Sequence, residues 1–538
     1  MKSPIRPFLS HSFPSCLCIW LLTGHLFAQV SSDLCAQDTI LIPNELLTVA
    51  EASNYEATCT SADVHRFLIE CDGRADHVQH FEFGRTSLDQ PMSAILCANP
   101  PVSDRPNDDR LTVLLLGNIH SGECDGKEAL LMLARELTLT TDHPWLKELV
   151  VIIVPNYNAD GNDQMSEDNR PGQIGPIRGM GRRETAQGFD LNRDFIKLES
   201  PESRALVSLI NHWNPEVLID CHTTNGSIHR YPLTYDIPHN PASPPELRDF
   251  LRQQMIPDVT SRMTTAGFDT FYYGNFSKDH KRWESYGFEP RYSTEYLGLR
   301  GRIGILAESY SYADYRTRVT VSKEFVRQCL ESTIAHSGRI KELLMSIESR
   351  SMKSGETPSA QTLALNAVMR PFHHSVTVLG RAPDSEEPKD YEVEYWGDYQ
   401  PTREVQLPFA YAIPNPSEQV VQNLKNHGLQ LEVLNKPLRT EVSVRTIESL
   451  TQSPRPFQKH NLVKLETAET REIRELPANT IVVRTAQPLG RLAAWLLEPE
   501  SSDGLVTWNF FDDRISNGSE FPVLNVVQPL PTQDGQVK

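Results

Sequence analysis

Leu111-Thr-Val-Leu-Leu-Leu116 runs into Gly-Asn-Ile-His120-Ser-Gly-Glu123, and from Asp125 to Leu139 the period of the sequence changes. The first six residues are apolar or β-branched without alternation, the pattern of a strand covered on both faces. From Asp125 onward, Ala129, Leu130, Leu133, Ala134 and Leu137 recur at i, i+3, i+4 spacing, which predicts an amphipathic helix. A buried strand, a short polar turn and a helix make one unit of a layered α/β fold. The turn that joins them carries a histidine and a glutamate.

The same grammar continues on either side. Leu149-Val-Val-Ile-Ile-Val154, Val217-Leu-Ile219 and Ile303-Gly-Ile-Leu306 read as further buried strands. Ser200-Pro201 opens a helix, with serine as the cap and proline in the first turn, whose apolar face is Leu206, Leu209, Ile210 and Trp213. A long amphipathic helix is expected from about Ser322 to Ile347. Continuous apolar strands separated by helices imply an α/β fold with a mixed, largely parallel sheet sandwiched by helices. The stretch 350–362, rich in Ser, Gly, Pro and Lys, reads as a linker. Beyond it, Val376–Leu379, Tyr391–Tyr395 and Thr480–Arg484 are short strand-like runs between turn signals. The organisation expected is a signal segment 1–28, an α/β catalytic domain 29–349, the linker 350–362 and a β-rich accessory domain 363–538.

Ligand sites in open α/β sheets lie beyond the carboxyl ends of the strands. Three such ends carry polar groups of the right kind: His120 and Glu123 after the first strand, Asp220-Cys-His222 after the third, and Ala307-Glu308-Ser309 after the fourth. A catalytic zinc ion takes three nitrogen or oxygen ligands from protein and leaves a position open for water. His120, Glu123 and His222 meet that requirement. Between them, Arg183, Asn192 and Arg193 cluster around one loop, and a guanidinium fork beside a carboxamide suits bidentate capture of a carboxylate. His120-x-x-Glu123 alone is a weak signal, and arginines alone usually sit in solvated ion pairs.

In their order, His120-x-x-Glu123, Pro155-x-x-Asn158-x-Asp160-Gly161, Asp190-Leu-Asn192-Arg193, Asp220-x-His222 and Glu308 resemble the motifs of zinc metallocarboxypeptidases of the carboxypeptidase A/B superfamily. The resemblance spans residues 44–349, and the long C-terminal region resembles segments attached to some secreted bacterial members. It implies one Zn2+ held by His120, Glu123 and His222, with Glu308 as the catalytic acid/base. It implies further that Arg183 polarises the scissile carbonyl, that Asn192 and Arg193 grip the terminal carboxylate, and that Asp190 orients the first zinc histidine. The substrate implied is a peptide with a free C-terminal carboxylate, cleaved by metal-activated water. The capping tyrosine of the family is to be sought among Tyr286, Tyr292 and Tyr296, with spacing favouring Tyr286. Asp194, where many relatives have asparagine, could pair with Arg193 and weaken its grip. Arg291, Arg300 and Arg302 hint at acidic terminal residues.

Three other functions fit parts of the pattern. An N-acyl amino acid deacylase of the aspartoacylase kind, or an amidase acting on cell-wall peptides, would use the same metal set. A binding protein with a vestigial site would keep the ligands without turnover.

The N-terminus bears on location. Lys2 and Arg6 precede the apolar run Cys16–Leu22, and Leu26-Phe27-Ala28 follows, the layout of a secretory signal peptide, so a secreted or periplasmic destination is expected. Removing residues 1–28 takes two basic and no acidic side chains from the chain and moves its formal charge from −18 to −20. Such an acidic protein has no basic stripe for a phosphate backbone, which argues against nucleic acid, and no later stretch is apolar enough to insert in a membrane. Seven cysteines remain after cleavage, an odd number, so at least one thiol is unpaired in a monomer. Cys124 and Cys221, which flank metal ligands, are read as small buried residues, with a disulfide between them as the lesser alternative.

Overall fold

The computed structural model describes residues 42–102, 108–353, 362–382, 385 and 387–530. The signal segment 1–28, Cys35 and most of the linker 350–362 lie outside the described residues. The described elements from Pro43 onward fall within one compact unit.

In chain order the first ten strands are β1 (Val78–Arg85), β2 (Pro91–Cys97), β3 (Leu111–Gly117), β4 (Leu149–Val154), β5 (Val217–Thr224), β6 (Leu233–Asp236), β7 (Thr270–Tyr272), β8 (Asn275–Phe276), β9 (Arg282–Glu284) and β10 (Ile303–Tyr310). All but β8 and β9 join one sheet of eight strands in the order β1-β2-β4-β3-β5-β10-β6-β7. Its centre, β4-β3-β5-β10, is parallel throughout, and antiparallel partners flank it. The expected mixed, largely parallel sheet is therefore present.

Both faces are covered because neighbouring residues of each strand point opposite ways. Val113 and Leu115 of β3 face a core built with helices Ser61–Asp72, Asp125–Leu139 and Tyr315–Ala335. Leu114 and Leu116 face the other core, which contains helix Pro201–Trp213 and continues without a break through Trp495, Trp508 and Phe511 of the C-terminal region. Leu115 is fully buried, so truncating it to alanine would cost about 2–5 kcal/mol. Ser200 caps helix Pro201–Trp213 by accepting from the Ser203 amide, as its sequence predicts.

The long helix expected from Ser322 to Ile347 is instead two helices, Tyr315–Ala335 and Ser337–Lys353, broken at His336. Asp314 caps the first by accepting from the Thr317 amide, which sets its start earlier than the apolar stripe suggests.

The C-terminal region is rich in strands, some far longer than its apolar runs suggest. Strands β11 (Thr362–Arg381) and β12 (Pro388–Gln406) form a long hairpin that extends the β8–β9 pair into a four-stranded sheet. Six more strands, β13 (Ala410–Ile413), β14 (Glu432–Val433), β15 (Leu438–Gln452), β16 (Val463–Leu476), β17 (Ile481–Arg484) and β18 (Leu524–Val526), make a separate sheet. Among the described residues no helix is long and apolar enough to cross a membrane. All six described cysteines, Cys59, Cys71, Cys97, Cys124, Cys221 and Cys329, are buried free thiols. Cys124 and Cys221 are thus the small buried residues expected, and no disulfide joins them.

Candidate metal centre

The sheet brings three strand ends to one place. His120 leaves β3 in a tight turn, closed by the Glu123 amide donating to the His120 carbonyl at 2.8 Å. The helix that follows lies almost in contact with β5: a Cβ on Gly126 would come within 2.5 Å of the Cys221 Cβ. Only glycine permits that approach, and it sets Glu123 against His222. Asp220 and His222, two residues apart on β5, share one face.

Ligand atoms of His120, Glu123 and His222 all lie within 4.8 Å of one another, and the three residues are buried. The two imidazoles present the same nitrogen to the carboxylate: His120 Nδ1 is 3.1 Å from Glu123 Oε1, and His222 Nδ1 is 3.0 Å from Glu123 Oε2. The far nitrogens are each backed by a second carboxylate, His120 Nε2 by Asp190 at 3.1 Å and His222 Nε2 by Asp220 at 2.9 Å. Zinc ligands at roughly 2.0–2.1 Å in a tetrahedral array lie about 3.3 Å apart, and ligating histidines characteristically carry a carboxylate on the other nitrogen. Two nitrogens, one carboxylate and two supporting carboxylates fit zinc.

Electrostatics favour positive charge at this spot. Burial disfavours a charged His222 ring, yet the carboxylates of Asp220 and Glu123 outweigh it and hold its pKa well above the ordinary histidine range. Burial likewise opposes the ionised form of Glu123, and His120 and Arg170 overcome that to keep it well below the usual carboxylate range. Asp190 is a hub. Its Oδ1 takes His120 and the Asn192 amide, and its Oδ2 takes Arg183 at 3.1 and 2.9 Å. Its burial penalty is overcome by His120 and Arg183, and it stays ionised.

His120, Glu123 and His222 line a cavity of about 360 Å³ shared with Arg183, Asn192, Arg193 and Glu308. Glu308 sits on β10 directly opposite His222 in parallel register. Burial, with Glu123 adding to it against the opposing pull of His222, raises its carboxyl to about 8. Asn192 accepts from the Ser293 amide at 3.0 Å and places its amide nitrogen 3.5 Å from His222. Arg193 lies over the Tyr292 ring, 4.4 Å from its centroid.

His120, Glu123, Arg183, Asn192, Arg193, His222 and Glu308 all line this cavity, and Asp190 stands behind it, bonded to His120 and Arg183. Two further cavity residues carry no sequence signal. Arg170, in the turn-like run Asp168-Asn-Arg170-Pro-Gly, donates to Glu123 Oε1 at 2.8 Å and to the Thr223 carbonyl. Tyr273 also lines the cavity, and burial pushes its hydroxyl up to about 12.

Several finer expectations are corrected. Asp194 does not meet Arg193: it is fully buried, pairs with Lys197 at 2.7 Å and accepts from the Glu199 and Ser200 amides. Arg291, Arg300 and Arg302 do not line the cavity and are engaged by Asp503, Asn211 and Asn214, respectively. Tyr296 is buried against His427, whereas Tyr286 and Tyr292 both reach the cavity.

Residues 65–286 match the zinc carboxypeptidase family model. The chain carries a zinc carboxypeptidase domain, and its activity is that of a zinc-dependent hydrolase of C-terminal peptide bonds. His120, Glu123, Arg183, Asn192, Arg193 and His222 fall inside the matched stretch, and Glu308 lies beyond it. The chain is 22% identical over 471 residues to carboxypeptidase 2 of Trichophyton tonsurans, covering 80% of this chain and 79% of that one. It is 22% identical over 454 residues to carboxypeptidase 2 of Trichophyton equinum, with the same coverage. A metallo-carboxypeptidase from Burkholderia cenocepacia superposes with a TM-score of 0.38 at 16% identity, over 51% of this chain and 68% of that chain. The deacylase and binding-protein alternatives find no support in these matches.

Proposed function

We propose that this enzyme removes the terminal residue of peptides bearing a free carboxylate, with His120, Glu123 and His222 holding the zinc ion and Glu308 moving the proton. The observation that carries this reading is the double backing of the metal ligands. Two imidazoles and one carboxylate converge, each imidazole is supported by its own carboxylate, and a further carboxyl stands beside them in the same cavity.

When bound, zinc polarises a carbonyl oxygen and makes water more acidic. Glu308 takes a proton from the attacking water as its oxygen bonds to the scissile carbonyl carbon. It then delivers that proton to the amine nitrogen as the C–N bond breaks, releasing one amino acid. Arg183, tethered through Nε and Nη2 to Asp190, points Nη1 toward the metal set, 3.6 Å from Glu123, where it can donate to the carbonyl oxygen as charge develops there. Asn192 and Arg193 receive the terminal carboxylate.

In this reading residues 29–349 hold the chemistry and residues 363–538 form an accessory region. The basic, apolar and small-residue pattern of residues 1–28 supports export.

The test is to digest one peptide in two forms, with free and with amidated C-terminus, and follow release by mass. Loss of single residues from the free form alone, abolished by a chelator and restored by zinc, is the expected result. Equal cleavage of both forms would sink the reading.

A further inference from the structure

Among the contacts of the C-terminal region with the active-site loops, two bear on the residues proposed to grip the carboxylate. Between β15 and β16 the chain folds back on itself at Phe457-Gln458-Lys459-His460. Phe457 and His460 exchange backbone hydrogen bonds of 2.8 and 3.0 Å, and Gln458 and Lys459 both have positive φ, 50° and 70°. This is a two-residue hairpin turn of type I′, which ordinarily takes Asn-Gly because left-handed backbone suits few other residues. Here the unfavoured positions carry two long polar side chains, and both reach the same loop. Gln458 Oε1 accepts from the Asp190 amide at 3.4 Å. Lys459 donates to the Gln187 carbonyl at 2.8 Å and lies 3.7 Å from the centroid of the Phe189 ring. Next to them, His460 meets Glu199 at 2.9 Å, just past the same loop.

The second point is the loop that carries Tyr292. Arg291 donates its amide to Asp503 at 2.8 Å and pairs its guanidinium with the same carboxylate at 3.0 Å. That guanidinium lies against two neighbouring rings, Phe457 and Trp508, 5.2 and 5.1 Å from their centroids. Tyr292, the next residue, is the ring under Arg193. One contact thus supports the loop of Asp190, Asn192 and Arg193, and the other supports the ring on which Arg193 rests.

We infer that the C-terminal region is a positioning element for substrate, its Phe457–His460 turn and Asp503–Trp508 segment fixing from outside the two loops that grip the terminal carboxylate. Gln458 and Lys459 touch no reacting atom. They hold the backbone of the loop that carries Asn192 and Arg193, at the Asp190 amide and the Gln187 carbonyl, so their removal loosens carboxylate binding more than it slows the chemistry. The turn spends an unfavourable backbone geometry on side chains that a plain hairpin would not need, and their contacts account for it.

This inference rests on the proposed carboxylate grip, and the experiment separates the two. The full-length enzyme is compared with Gln458→Asn combined with Lys459→Gly, which keeps or improves the turn while deleting both side-chain contacts. On an N-blocked tripeptide with a free C-terminus, KM is expected to rise at least about threefold, by more than any fall in kcat. Zinc content and melting temperature should be unchanged. Gln458→Glu combined with Lys459→Arg, which preserves an acceptor and a cation, should return KM to within about twofold of the parent. A smaller rise in KM, a loss mainly in kcat, or no rescue overturns the inference; should the first pair fail to fold, Lys459→Ala is read by the same criterion. A parent enzyme that leaves the tripeptide intact would instead refute the proposed function.

Discussion

Glu308 of β10 stands directly across from His222 of β5 in a parallel pairing. The proposed metal ligand and the proposed proton carrier lie on adjacent strands of one sheet and keep a fixed separation, set by backbone hydrogen bonds rather than by loop conformation. The strands are buried, so the geometry is as rigid as the core.

Replacing Glu308 by glutamine keeps shape and removes the base. The expected outcome is a fall in kcat of about 10²–10⁴-fold with zinc still bound stoichiometrically. Metal analysis of the variant alongside its kinetics checks this, and loss of zinc would reassign Glu308 to a ligand role.

Asp190 fixes His120 from behind. Asp190→Asn should weaken zinc binding by about 10–100-fold, read by competition with a chromogenic chelator. Undiminished affinity would mean that the Asp190–His120 contact does not support the metal.

Arg193→Ala should raise KM for peptides with free C-termini about 10–100-fold, the worth of a hydrogen bond to a charged group. Lysine should rescue only part of this, because it lacks the planar fork. The measurement is KM against amidated and free substrates; equal changes in both would show that Arg193 does not meet the carboxylate.

His427 couples stability to acidity. Its ring is buried, takes the Tyr296 hydroxyl and donates to the Ile196 carbonyl. Burial lowers its pKa to about 3, with Arg300 adding to the effect. A depressed folded value means that the contribution is fully present above the ordinary histidine range and is lost as pH falls toward 3. Between pH 6 and 4 the parent should therefore lose about 1.4 kcal/mol per pH unit relative to His427→Gln. Parallel melting or urea curves at each pH would test it, and identical slopes would discount the ring.

Lys197 is fully buried between Asp194 and Glu199. Lys197→Met should destabilise by about 3–5 kcal/mol, since it strands a buried carboxylate. Denaturant unfolding provides the measurement.

The central strands are readable because burial on both faces writes unbroken apolar runs, as in Leu111–Leu116 and Leu149–Val154. The residues proposed to hold the metal stand out because each follows such a run. Arg170 and Tyr273 escaped because they come from irregular segments and arrive by long-range folding, with no local period to mark them. Asp194 misled for a related reason: adjacency to Arg193 says nothing about direction, and its carboxylate turns inward to Lys197. The arginines after residue 290 misled because clustered charge in sequence is spent on partners more than a hundred residues away, such as Asp503 for Arg291 and His427 for Arg300. Similarly, the alternation visible in Tyr391–Tyr395 marked a strand without revealing its length, which depends on the partner hairpin arm.

Burial raises the pKa of each of the six described thiols, leaving them neutral and shielded. None is cross-linked, so this part of the protein matures without oxidant or isomerase and tolerates strong reductant. A reducing bacterial cytoplasm is thus as good a production host for it as an oxidising compartment, and alkylating reagents should label these positions only after denaturation.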